Sequence, residues 1–412
     1  MPWRPPYLAV CLLLVATACT TESGSTTTAA AETTVTTAAP PVADLSDLPG
    51  RLVVLDEGGN IVTIDPDGSA VAPVTDDAGE AARYRQPTFS PVSDRLAWAE
   101  ITTEGAGLGS SDGEGGDRVF VPMTAPPFFT FWSPDGRGIG VLHNGLQGSI
   151  EFEIVDVEAG LTEVLASGAP FYFSWSPDSN ELAVHVQLEF FATLDLEGNT
   201  TDLGATAAGY QAPHWTTAGI IHLGESGLEL LQVEGSARLL ATAPGPVAFV
   251  ANPQGTRLAV QSFVADGAPG IEAALSQAPE LPSNQVIVVD VETGELFEVV
   301  AAPSIGLFWS PDGETLLVLR PSQGGTGELT TVVWRGGETT EVSLIAPHPA
   351  FVDEVLQFFD QYGQSLQLWS PDSAAFALVG AIKGDPGVWV HTIGGGDPVK
   401  VYDGSWVSWS NR

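Results

Sequence analysis

The chain has 412 residues, 44% of them hydrophobic, enough to bury a large core. Acids outnumber bases 51 to 14, and the formal net charge of -37 repels nucleic acid and anionic lipid surfaces, so a nucleic-acid partner is set aside. The acidity reads first as solubility, with weak binding of cations or of a basic partner as the sharper alternative.

Residues 1–18 read as a targeting segment. Arg4 is its positive region, and Tyr7 to Val15 is an apolar run too short to span a bilayer as a mature helix. Val15-Ala16-Thr17-Ala18-Cys19 follows. It resembles the lipobox of bacterial lipoproteins, in which small residues precede a Cys that is diacylated and becomes the first residue. Ala16 stands where that pattern usually has Leu. An ordinary secretory cleavage site is the alternative. The two cysteines are Cys11 and Cys19, so Cys19 would be alone in the mature chain and no intrachain disulfide could form. The expectation is lipid attachment at Cys19, with the chain anchored to the outer face of a bacterial membrane through two acyl chains. Residues 19–50, rich in Thr, Ala and Pro, read as a flexible stalk.

Residues 51–412 carry a repeat. The residue before the Ser of each motif copy serves as an anchor: Phe89, Trp132, Trp175, Trp215, Ala251, Trp309, Trp369 and Trp409. The steps are 43, 43, 40, 36, 58, 60 and 40 residues, a period that points to propeller blades. Ser-Pro-Asp-Gly, as at Ser310-Pro311-Asp312-Gly313, suits a type I turn. Seven residues past the anchor stands a large apolar residue (Leu96, Ile139, Leu182, Leu258, Leu316, Phe376), usually followed by a small one and another large one. Such strands, apolar on both faces, belong to sheets covered on both sides. Acidic hairpin turns follow, as at Asp156-Val157-Glu158-Ala159-Gly160 and Asp290-Val291-Glu292-Thr293-Gly294.

This pattern resembles the TolB-type, WD40-like propeller repeat, most specifically where Trp-Ser-Pro-Asp is intact. The resemblance implies an all-β propeller and says little of function. Eight anchors imply eight four-stranded blades, with seven as the alternative. The strands Arg51 to Leu55, Asn60 to Asp65 and Ala70 to Thr75 would complete a blade with the final strand at Trp409. The outer strand of the first repeat is not evident, because Thr102 to Gly116 reads as a Gly/Ser/Asp loop.

The repeat motif residues are read as structure. Trp132, Trp175, Trp309 and Trp369 are expected to pack between blades. Asp135, Asp178, Asp312 and Asp372, with Ser133, Pro134, Pro177, Pro311 and Pro371, are expected to build the turns. Gly109-Ser110-Ser111-Asp112-Gly113 matches G-x-S-x-G but lacks the strand-to-helix context of a nucleophile elbow. Asp112, Glu114 and Asp117 form an acidic loop without EF-hand spacing. His143, His185 and His222 fall in the second strands of successive repeats, in no common register and without metal-ligand spacing. His214, His348 and His391 complete the set of histidines.

Two insertions interrupt the period. Asp266 to Asn284 holds a short helical stretch at Ile271 to Leu275. Phe351 to Tyr362 has an apolar helical face including Phe351, Val355, Phe358, Phe359 and Tyr362. That face either packs on the ring or offers a partner surface. No catalytic residue, metal or cofactor is assigned. The expectation is a non-enzymatic surface lipoprotein whose propeller binds a protein or small-molecule ligand; the alternative is a hydrolase or lyase with its site at the channel mouth.

Overall fold

The structure, a computed structural model, describes residues 44–187, 190–204, 211–232, 235–243, 245–263 and 278–412. Cys19 and the Ile271 to Leu275 stretch lie outside the described residues.

The chain is all-β, about 53% strand and 6% helix. Consecutive strands hydrogen-bond antiparallel into sheets. Sheet 1 joins Leu52–Asp56, Ile61–Ile64 and Ala72–Pro73 to the late strand Gly404–Trp409. Sheet 2 is Ala82–Phe89, Leu96–Thr102, Ala106–Ser111 and Val119–Met123. Sheet 3 is Pro127–Trp132, Gly138–Asn144, Ile150–Asp156 and Leu161–Gly168. Sheet 4 is Phe171–Trp175, Glu181–Val186, Phe190–Asp195 and Thr200–Asp202. Sheet 5 is His214–Thr216, Gly219–Gly224, Gly227–Leu231 and Ala237–Ala241. Sheet 6 is Val247–Ala251, Arg257–Ser262, Val286–Asp290 and Leu296–Val300. Sheet 7 has seven strands, Gly306–Trp309, Thr315–Pro321, Leu329–Arg335, Glu338–Pro347, Ala375–Ile382, Asp385–Thr392 and Val399–Tyr402. In sheet 1, Leu52 pairs with Trp409 and Ile64, so the two ends of the folded chain share one sheet.

The motif shows how neighbouring sheets are tied. The indole Nε1 of Trp175 donates to Phe131 O at 3.0 Å, that of Trp309 to Val250 O at 2.9 Å, and that of Trp369 to Phe308 O at 3.1 Å. Each acceptor is the residue before the preceding anchor. The buried indole therefore gives up no hydrogen bond while its rings fill the gap between sheets. The bulky and small positions explain the rest of the contact. Ile139 faces back into a cluster with Ala97 of the preceding sheet, and Ala183 faces forward into one with Ile220 and Leu231 of the next. A Cβ on Gly140 would stand 2.7 Å from Phe173 of the next sheet, so a larger residue there would push the sheets apart.

The turns use their Ser and Asp locally. Ser133 Oγ donates to Asp135 at 2.7 Å, Ser176 Oγ to Asp178 at 2.6 Å and Ser370 Oγ to Asp372 at 2.6 Å. Ser179 and Ser373 occupy positive φ, of 64° and 61°, where other copies have Gly136 and Gly313. Their hydroxyls then accept the backbone N–H of Asp135 and Asp312 in the preceding turns, at 3.0 and 3.1 Å. The hydrogen bonds offset the strain of that backbone. Much of the acidity is likewise turn chemistry: Asp195 accepts from Asn199 N at 2.7 Å, and Asp290 from Thr293 N at 2.8 Å.

One expectation is corrected. Thr102 to Gly116 is not a loop; Ala106–Ser111 is the third strand of sheet 2, and Val119–Met123 the fourth. The strand is glycine-rich because a large side chain covers it. A Cβ on Gly109 would lie 2.2 Å from Trp98 Nε1, and one on Gly107 would lie 2.1 Å from Val121 O. The G-x-S-x-G stretch is thus strand backbone under an indole. Asp112 caps the following turn, accepting from Glu114 N at 2.9 Å and Gly116 N at 2.7 Å. The folded part also starts before residue 51: Leu48 is buried, and Pro49 O accepts from Trp409 Nε1 at 3.0 Å.

Candidate functional site

The second insertion forms two short helices, α1 (Pro349–Glu354) and α2 (Phe359–Ser365), joined by a 3-10 turn at Leu356–Phe358. His348 caps α1 by accepting from Ala350 N at 3.2 Å, and Pro349 suits the first helical position, where no N–H is required. The single amphipathic helix read from the sequence is broken at Phe358, whose backbone leaves the helical region at φ -134° and ψ 35°.

The insertion runs into the middle of the first strands. Tyr362 Oη donates to Phe128 O of sheet 3 at 3.1 Å, and Gln361 Nε2 to Phe173 O of sheet 4 at 3.1 Å. Gln364 Nε2 donates to Pro213 O, next to sheet 5, at 3.1 Å. A Cβ on Gly363 would stand 2.8 Å from Val250 of sheet 6 and 3.2 Å from Leu307 O of sheet 7. Glu354 receives Arg85 Nη2 at 2.7 Å and Gln86 Nε2 at 3.0 Å, both from sheet 2. Phe351 lies against Phe308, with ring centroids 6.5 Å apart. One segment thus touches the first strands of sheets 2, 3, 4, 6 and 7.

Of the five side chains considered as a partner surface, Phe351, Val355, Phe359 and Tyr362 are buried in these contacts, and Phe358 is 44% exposed. Apolar positions that cover inner strands are not free for a partner. Burial also sets the ionisation here. Asp360, whose carboxylate accepts from Ala212 N at 3.2 Å, is pushed up to about 6 by loss of solvent, and Tyr362 is raised for the same reason. Desolvation lowers His214 to about 3, His391 to about 3 and His222 to about 4.

A second group lies in sheet 3. His143 stands opposite Glu151 across the hairpin, and Glu153, two residues on, shares that face. His143 Nε2 is 2.7 Å from Glu153 Oε1 and 3.8 Å from Glu151 Oε2, and the three donor atoms lie within 4.8 Å of one another. His143 and Glu153 are buried, while Glu151 is partly open to solvent. The Thr162 hydroxyl donates to Glu153 Oε2, and His143 Nδ1 faces Asn144 O at 3.3 Å. His185 and His222 do sit in the second strands of sheets 4 and 5, but neither joins this group.

Glu151, Glu153 and Thr162 were not singled out from the sequence. The available signal was the alternation Ile150-Glu151-Phe152-Glu153-Ile154, one hairpin after His143, which puts two carboxylates on one face. The motif tryptophans Trp132, Trp175, Trp309 and Trp369 are buried, and Pro134, Pro177, Pro311 and Pro371 lie in the turns.

No family model matches the sequence, and no curated protein matches it. Solved structures do share the fold. An oligogalacturonate lyase in complex with manganese is 14% identical, with a TM-score of 0.52 over 84% of this chain and 98% of that one. A eukaryotic initiation factor is 13% identical, with a TM-score of 0.53 over 87% of this chain and 98% of that one. A prolyl endopeptidase is 12% identical, with a TM-score of 0.50 over 80% of this chain and 50% of that one. The structural neighbours are β-propeller proteins, and the chain has that fold.

The comparison overturns the expectation that the protein is not an enzyme. Neighbours sharing the fold include a lyase and a peptidase, so the propeller gives no ground for setting catalysis aside. Strand pairing gathers polar groups that linear spacing hides, as His143, Glu151 and Glu153 show.

Proposed function

We propose that the chain is an exported lipoprotein, tethered through a diacylated Cys19 to the outer face of a bacterial membrane, whose eight-bladed, TolB-type propeller recognises a protein or small-molecule ligand. The eight-blade reading is supported by the strand order. Among the described residues, six sheets have four strands. Sheet 7 divides into Gly306 to Pro347 and a second unit in which Trp369, bridged to Phe376, supplies the missing inner strand. The pairing of Gly404–Trp409 with Leu52–Asp56 supports ring closure by the two chain ends.

One observation carries the recognition reading: the protein's own insertion hydrogen-bonds to sheets 3 and 4 and beside sheet 5 through Tyr362, Gln361 and Gln364, which supports a ring whose axis it fills. A filled axis makes a rigid disc and leaves recognition to loops and outer edges. A second reading, a hydrolase or lyase, is favoured by the His143, Glu151 and Glu153 group.

Two experiments test this. Labelled fatty acid is expected to enter the wild type and not Cys19→Ser, and the variant is expected to leave the membrane fraction; a labelled variant contradicts the anchor. Crosslinking of the full-length lipidated protein in intact cells is expected to yield one partner or ligand with a footprint on the hairpin loops. Turnover of a substrate with no stable partner would put the catalytic reading in its place.

A further inference from the structure

We propose that His143, Glu151 and Glu153 form a divalent-cation site in the face of sheet 3 that is turned toward sheet 2. The inference shares this group with the second reading but does not depend on it, since it concerns ion binding between sheets and not turnover.

The argument starts from which atoms face which. The imidazole Nδ1 looks at a carbonyl oxygen, Asn144 O, and Nε2 looks at two carboxylates. If Nδ1 carries the proton and donates it to Asn144 O, Nε2 presents a lone pair to Glu153 Oε1 at 2.7 Å. Two lone pairs do not approach so closely unless something positive lies between them. A proton would serve Nε2 and Glu153, but it leaves the Glu151 carboxylate converging on the same point at 3.8 Å with no partner of its own. Among the described residues no Lys or Arg pairs with Glu151 or Glu153, and two carboxylates so near a buried ring need compensation. A dication neutralises both.

The geometry fits. First-row divalent ions hold N and O donors at about 2.0–2.2 Å, which sets neighbouring donors roughly 3 Å apart. The observed 2.7 and 3.8 Å lie on either side of that separation, and all three atoms fall within 4.8 Å of one another, so side-chain shifts of about 1 Å would close the shell. The surroundings are those of a ligand set. Asn144 O orients the ring, and the Thr162 hydroxyl holds the second oxygen of Glu153. Gly145 leaves room for Glu151: a Cβ there would lie 2.7 Å from its Oε1. Glu151, 22% exposed, gives the ion a way in and water a way to the remaining positions. One imidazole with two carboxylates suits Mn2+ or Zn2+ better than Ca2+ or Mg2+, which favour all-oxygen shells.

The test uses the purified full-length protein, stripped with a chelator, and titrated with Mn2+ and separately Zn2+ at physiological salt and neutral pH. Elemental analysis after gel filtration is expected to find about one equivalent of one of these ions, with a rise in Tm. Glu151→Gln is expected to weaken binding at least roughly tenfold without lowering the Tm of the stripped protein. Its side chain is partly exposed and without a hydrogen-bond partner, so folding does not confound it. His143→Asn and Glu153→Gln are expected to remove binding. Less than roughly a tenth of an equivalent for both ions, or equal affinity in wild type and Glu151→Gln, overturns the proposal. Equal affinity would mean that ions are held by the acidic surface at large.

Discussion

The sheets and the helical insertion are held by the same kinds of contact but are written differently in the chain. In the sheets, one rule recurs: the indoles of Trp175, Trp309 and Trp369 reach the preceding first strand (that of Trp132 makes no such bond), a bulky residue faces back, and a small one faces forward. In the insertion, every contact is particular. Tyr362, Gln361 and Gln364 each find a different carbonyl, on sheet 3, on sheet 4 and beside sheet 5. The lesson is that the repeat builds walls, and a single non-repeating segment joins them across the middle. If so, damage to the insertion should cost several kcal/mol, nearly as much as damage to the wall.

The largest expected effect lies in the wall. Trp369→Ala removes a fully buried indole and leaves Phe308 O without its donor, an expected loss of about 3–5 kcal/mol in denaturant unfolding. Tyr362→Ala makes the matching cut in the insertion, with an expected loss of about 2–4 kcal/mol, and Tyr362→Phe, which keeps the ring, about 1 kcal/mol. A loss below about 0.5 kcal/mol for Tyr362→Ala would dissolve the comparison, since exposed substitutions stay in that range.

Acidity sharpens it further. Asp360 keeps its proton in the folded state up to about pH 6, whereas the unfolded chain gives it up near pH 4. The wild type therefore loses stability as pH rises through that window. Asp360→Asn is expected to gain about 1–3 kcal/mol at neutral pH and nothing below pH 4. The buried histidines act in the opposite sense. His214, His391 and His222 stay neutral in the folded state down to about 3, 3 and 4, so each withdraws stability as pH falls below its unfolded value near 6.5. The slope is about 1.4 kcal/mol per pH unit per group. Replacing each by Phe or Gln should flatten the acid limb of Tm against pH. The smallest effect is at Phe358, 44% exposed at the break between the helices, where Phe358→Ser should change stability by less than about 0.5 kcal/mol.

How much of this was legible follows from the same contrast. The period and the constant offset from anchor to strand announce sheets apolar on both faces, because packing at every copy demands the same residues. The Trp215 copy keeps the pairing with a shorter turn: Trp215 stands opposite Ile220, as Trp175 stands opposite Leu182. The strand at Ala106–Ser111 escaped because its glycines answer Trp98 across the hairpin, a cross-strand demand that no window along the sequence displays. For the insertion, the apolar face was readable, and its target was not. Burial of Phe351, Val355, Phe359 and Tyr362 depends on five sheets converging from distant parts of the chain. The His143 group lies between these cases. The alternation of Glu151 and Glu153 was visible, but their approach to His143 needs the hairpin register.

The most direct test of the account is native-state hydrogen exchange on the full-length protein, comparing peptides from Phe359–Ser365 with those from the first strands Pro127–Trp132 and Phe171–Trp175. If the insertion joins the sheets across the middle, its amides exchange with the protection of those strands and lose it in the same cooperative step. Exchange of Phe359–Ser365 within seconds, while the first strands stay protected, would contradict that claim.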